Sequence, residues 1–121
     1  MAESKGIKSD IIPRISTGFC GGLARTCGIC GAVSGAVMAL NLIYGRNLPD
    51  EPYETSYVPV QKFIRTFENK FGSTNCKILT GLDLSLREDQ KRFVSENKVA
   101  ICKGFTEEAA RMAISIIEGK I

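Results

Sequence analysis

The chain has 121 residues, 44% apolar and 24% charged, which is one ordinary globular domain and not a collagen-like, disordered or disulfide-scaffold chain. It contains no His and no Trp, so a Ser-His-Asp triad, a Cys–His pair, His-ligated zinc and haem held by C-x-x-C-H are excluded. The net charge of +3 comes from residues 1–49, with Lys5, Lys8, Arg14, Arg25 and Arg46 against Glu3 and Asp10, and without a basic cluster it gives no nucleic-acid footprint.

Residues 1–10 are polar, read as flexible, and lack the apolar stretch of a signal peptide. Ile11 to Gly22 reads as a short helix or turn ended by Gly18, Gly21 and Gly22. A helix is expected from Cys27 to Tyr44, with Gly45 as its stop. The uncharged run from Thr26 to Gly45 has the length of a membrane span. Its four Gly, with Ser34 and Asn41, favour instead the buried centre of a bundle, so no membrane is expected as a partner. Gly31, Gly35 and Ala39 recur every four residues, as do Gly28, Ala32 and Ala36. Such a stripe lets a second helix or a cofactor approach the backbone closely, and makes Gly31 and Gly35 candidate cofactor contacts. The first of these, tight helix packing, is the commoner use.

Residues 47–59, with three Pro, read as a linker. Val60, Phe63, Ile64, Phe67 and Phe71 then mark one face of a helix closed by Gly72. Ser73 is expected to cap a short helix with Thr74, Asn75 and Cys76 in its first turn. Ser85–Glu88 fits a capping box for a helix through about Glu96. Val99–Ile101 is a brief apolar segment delivering Cys102, and Thr106 caps a last helix whose Ala110, Ile114 and Ile117 face inward. The expected fold is all-α, a compact bundle of five to six helices around the Gly/Ala-rich one, in a single domain over 1–121.

Chemistry concentrates in five cysteines, Cys20, Cys27, Cys30, Cys76 and Cys102. An odd count leaves one thiol outside any intramolecular pairing. Without an export signal the expected compartment is the cytoplasm, where cysteines more often serve as ligands or redox groups than as bridges. Cys27-Gly-Ile-Cys30 is a C-x-x-C, which lets two sulfurs act as a dithiol pair or as two ligands of one metal. Cys76 and Cys27, placed at helix starts, would have their thiolates favoured by the helix dipole. Cys20, in FCGGL, reads as a small packed hydrophobe. Asp83 and Glu107–Glu108 read as cap or surface groups, and Gly18, Gly21 and Gly22 lack the Lys-Ser/Thr of a phosphate loop, so no catalytic residue is assigned.

The run GFCGGLARTCGICGAVSGAVMALNLIYG, then FENKFGSTNCKILTGLDLS and Cys102, closely resembles the redox-active proteins named for a C_GCAxxG_C_C cysteine pattern. The central motif stands here as Cys30-Gly31-Ala32-Val33-Ser34-Gly35, with Cys76 and Cys102 as the later cysteines. The resemblance implies a small helical protein with four characteristic cysteines and redox activity. More distantly it extends to the non-haem domain of split-Soret cytochromes, where an iron–sulfur-type centre accompanies the haems. The family's first cysteine, in an upstream helix, has no counterpart in this shorter N-terminus, so either Cys27 or Cys20 replaces the fourth thiolate or the four-sulfur site is broken; the C-x-x-C spacing favours Cys27. The leading expectation is a metal centre on Cys27, Cys30, Cys76 and Cys102, an iron–sulfur cluster or alternatively zinc, serving electron transfer or redox sensing with an unidentified redox partner protein. A metal-free Cys27–Cys30 dithiol couple is the second reading, and a non-redox helical partner-binding module the third. A C2 homodimer is expected only as the commonest assembly.

Overall fold

The structure, a computed structural model, describes residues 2–121. Among the described residues the fold is built from six α-helices, with no strand: α1 (Ile11–Ile15), α2 (Gly31–Tyr44), α3 (Glu54–Phe71), α4 (Cys76–Thr80), α5 (Arg87–Ser95) and α6 (Lys98–Ile117). This is the expected all-α bundle, with the Gly/Ala-rich helix at its centre.

The three long helices pack pairwise, α2 against both α3 and α6. Each buries an apolar stripe at helical spacing: Val33, Ala36 and Leu40 on α2, Phe63 and Phe67 on α3, Phe105, Ala109, Met112, Ala113 and Ile116 on α6. Leu40, Phe63 and Phe67 are wholly excluded from water, and each such side chain contributes about 1.5–3 kcal/mol of transfer free energy. The rings of Phe67, Phe71 and Phe105 meet at centroid distances of 4.8–6.2 Å and lock α3 to α6. A smaller cluster of Cys76, Leu82 and Leu84, backed by Phe93, holds α4 and α5 against the bundle. Among the described residues no helix is long and apolar enough to cross a membrane.

Several element boundaries differ from the sequence expectation. The Gly-rich helix starts at Gly31, not Cys27, because Cys27 has a positive φ of 61° and Ile29 is held in an isolated antiparallel bridge with Asn75. The expected linker is helical from Glu54, and α3 contains Pro59. That proline deprives the Thr55 carbonyl of its helical partner, but Thr55 is exposed to water. Asn75, not Ser73, caps α4, accepting from Ile78 N–H at 3.1 Å, and Cys76 is its first residue. Ser85 makes no capping box; its hydroxyl donates to Asp83, and α5 opens at Arg87 without a side-chain cap. Thr106 is interior to α6, which runs unbroken from Lys98, and its hydroxyl donates back to the Cys102 carbonyl at 3.0 Å. The buried stripe of α6 is accordingly shifted by one position, leaving Ala110, Ile114 and Ile117 only half-buried.

Between α1 and α2 the chain does something no helix signal foretells. Gly21, Gly22, Leu23, Ala24 and Arg25 have φ of 72°, 68°, 64°, 54° and 67°, a left-handed turn. Each non-glycine residue there costs about 1–2 kcal/mol. The cost is offset by what the turn closes: Gly28 N–H donates to the Gly22 carbonyl at 2.8 Å, and the Thr26 hydroxyl to Leu23 O at 2.7 Å.

Candidate functional site

The turn and the bridge fix where several of the cysteines lie. At the Ile29–Asn75 bridge, Cys30 N–H donates to Thr74 O at 2.7 Å and Cys76 N–H to Gly28 O at 2.9 Å. The Asn75 side-chain amide donates to the Cys27 carbonyl at 2.8 Å, tying the same two segments again. Cys30, the residue before α2, and Cys76, the first of α4, are thereby brought together, and both are buried. The left-handed turn presses on the second of them: a Cβ on Gly22 would stand 2.6 Å from the Cys76 Cβ. Cys102 arrives from α6, part-buried, and Cys20 from the head of the left-handed turn. Cys20 is exposed, not packed as its sequence context suggested.

Cys20, Cys30, Cys76 and Cys102 line one cavity of about 900 Å³. Gly31 and Gly35 of α2 line it too, with Ala36 and Ala39 further along the same helix. Gly31 is required by close packing, since a Cβ there would lie 2.8 Å from the Phe19 carbonyl oxygen; a Cβ at Gly35 would meet no heavy atom within 4 Å. Cys27 is not among the lining residues. Its thiol donates to Asp83 Oδ1 at 2.9 Å, an arrangement the C-x-x-C spacing does not disclose.

The electrostatics run against the expected helix-start thiolates. Burial first, then the neighbouring Cys30, Cys102 and Cys27, pushes the Cys76 thiol up to about 11. Cys102 is raised in the same way, by burial and then by Cys30 and Cys20. Cys27 is raised chiefly by donating its hydrogen bond to Asp83, whose carboxyl is held down to about 2 by Cys27 and Ser85. The dipole of α4, a helix of five residues, is too short to compete with burial at Cys76, and Cys27 is not at a helix start at all. All five cysteines are free thiols.

A soft cation would suit this donor set, because the mutual repulsion that raises the thiols becomes attraction to a shared positive charge. The side chains as placed converge on a cavity and not on a point: among the described residues no group of three or more His, Cys, Asp or Glu is close enough to hold a metal ion. Ligation there requires side-chain rotation into the cavity.

The family described as "Putative redox-active protein (C_GCAxxG_C_C)" matches residues 1–116 of this chain. The chain belongs to this family. Comparison with curated proteins and with solved structures gave no significant match, so the likeness to split-Soret cytochromes rests on sequence resemblance alone. On sequence resemblance, Cys30, with cysteine ahead of glycine, Cys76 and Cys102 correspond to the last three of the four cysteine places in the C_GCAxxG_C_C name. Two cysteines precede them, and the fold puts Cys20 on the shared cavity and Cys27 outside its lining. Sequence reasoning also missed Asp83 as the partner of Cys27 and Arg25, Gln90 and Thr106 as cavity residues; Asp83 and Gln90 come from distant segments, while Arg25 and Thr106 lie near Cys20 and Cys102 in the chain with no local pattern that marks a cavity wall.

Proposed function

We propose that this C_GCAxxG_C_C protein works through Cys20, Cys30, Cys76 and Cys102, which together hold a thiolate-ligated iron–sulfur centre that exchanges electrons with a partner protein. One observation carries the reading: four cysteines from four separate segments face one cavity. The bound cluster would supply one-electron chemistry. The chain's own contribution is positional. The Ile29–Asn75 bridge fixes Cys30 and Cys76 by their backbones, α6 presents Cys102, and the left-handed turn brings Cys20 to the same wall. Loading requires the thiols to give up their protons. Cys27 stays a protonated neighbour, held by Asp83.

The same bridge favours a second reading, in which Cys30 and Cys76 form a metal-free dithiol couple. Oxidation would then join their sulfurs and release two protons and two electrons to an acceptor protein. Zinc on the same four sulfurs, for stability alone, is the third.

The deciding experiment is anaerobic purification of the full chain with iron, zinc and acid-labile sulfide measured per chain, for the native protein and for Cys20→Ser, Cys27→Ser and Cys30→Ser. Iron and sulfide are expected in the native protein and Cys27→Ser, and neither in Cys20→Ser or Cys30→Ser. Full iron content in Cys30→Ser overturns the site. Loss in Cys27→Ser with retention in Cys20→Ser restores the C-x-x-C ligand set. Metal-free native protein that oxidises to a Cys30–Cys76 disulfide supports the dithiol couple, and stoichiometric zinc without sulfide the structural site.

A further inference from the structure

The cysteines account for one wall of the cavity. A volume of about 900 Å³ lies in the upper part of the range occupied by sites for drug-sized molecules, roughly 300–1,000 Å³. A thiolate metal centre has metal–sulfur bonds of about 2.3 Å and needs only the space beside its ligands. The rest is bounded by small apolar residues, Gly35, Ala36 and Ala39 on α2 and Ala109 and Ala110 on α6, with the Phe19, Phe93 and Phe105 side chains around them. Gly35 has open space where a side chain would start. Such a surface recognises an apolar body and offers it little else to bond.

The polar groups are few, and one is charged. Among the described lining residues Arg25 is the only Arg or Lys, and there is no Asp or Glu. Its Nη1 donates to Gln90 Oε1 at 3.3 Å, while Gln90 Nε2 donates to the Leu84 carbonyl at 2.9 Å. A guanidinium has five N–H donors, and this long bond uses one of them. The residue is carried there by the left-handed turn, at φ 67°.

We infer that the cavity binds a predominantly apolar organic anion, its body on the Gly35–Ala39–Ala110 floor and its acidic group on Arg25, next to the cysteines. This deepens the cysteine-centre reading by giving the class of small molecule that meets the sulfurs, and it rests on that reading for its redox meaning.

The test uses the full, reduced, metal-free chain with two fluorescent probes, anionic 1-anilinonaphthalene-8-sulfonate and neutral N-phenyl-1-naphthylamine. Saturable binding of one molecule per chain is expected for both. Arg25→Gln should weaken the anion about tenfold, the loss of one charge-assisted bond, and leave the neutral probe unchanged. Gly35→Leu fills the floor and should abolish both while circular dichroism and cooperative thermal unfolding persist; Ala110→Leu serves the same purpose if the first variant does not fold. Failure of either probe to bind the native chain, undiminished binding in a folded filled variant, equal weakening of both probes by Arg25→Gln, or loss of probe binding as the chain self-associates would each overturn the inference. Iron and sulfide are measured on anaerobic preparations of the same proteins. A cluster without probe binding removes this inference alone, and probe binding without any cluster or reversible thiol oxidation removes the cysteine-centre reading alone.

Discussion

Gly22 and Gly35 look equivalent in a glycine-rich stretch, yet they do opposite jobs. Gly22 has φ 68°, and a Cβ there would meet the Cys76 Cβ at 2.6 Å and the Gly28 carbonyl oxygen at 2.9 Å. It is the point where the left-handed turn presses on the cysteine bridge. Gly35 has no heavy atom within 4 Å of its missing Cβ. Gly22→Ala should therefore cost about 3 kcal/mol, overpacking added to left-handed strain, and Gly35→Ala should gain about 1 kcal/mol from helix propensity. Urea unfolding of the two variants checks both signs; equal effects would mean that the turn does not support the bridge. The small-residue stripe was visible in the sequence, and its use was not. Period-four glycine and alanine signal close approach of something, but whether a helix or a cavity fills the approach depends on where α6 lies. The pairing of Cys27 with Asp83 was illegible for a similar reason: 56 residues separate them.

Elements were legible where burial is periodic. Phe63 and Phe67 mark α3 without ambiguity because its apolar face alternates with Lys62, Arg65, Thr66, Glu68 and Lys70. Boundaries failed where a polar residue had two local uses. Ser73, Ser85 and Thr106 all satisfy capping rules on paper, yet none of them caps a helix with its side chain, and Asn75 does. At 106 the α6 backbone continues through Gly104, so the hydroxyl bonds the carbonyl four residues back in place of a terminal N–H. The two environments make a measurable contrast. Asn75→Ala loses the cap to Ile78 and the bond to the Cys27 carbonyl, and should cost at least about 1 kcal/mol. Thr106→Ala, at an exposed position inside a helix, should change stability by no more than about 0.5 kcal/mol. Chemical denaturation reads both, and a full capping loss at Thr106 would mean that α6 is broken there.

At the scale of the whole molecule, the fold gathers weak acids where their charge is unwelcome. Cys76 belongs to the α4–α5 cluster and Cys102 is half-buried on α6, and burial plus neighbouring thiols raises both above the ordinary value of 9.0, Cys76 to about 11. Lys98 opposes the shift at Cys102 and the Thr80 hydroxyl bond opposes it at Cys76, without reversing either. A raised pKa in the folded state makes the contribution to stability fully present below pH 9, where both states are protonated. Above pH 9 the unfolded thiols ionise while the folded ones keep their protons, so stability falls, at Cys76 until that thiol titrates near pH 11. The urea midpoint of the reduced, metal-free chain should therefore drop between pH 8.5 and 10.5. Cys76→Ala with Cys102→Ala should flatten most of that drop. An equal drop in the double variant would place the linkage elsewhere. The same cost gives a bound cation its leverage: ligation replaces each proton with shared positive charge, so metal should raise the midpoint and weaken its fall with pH.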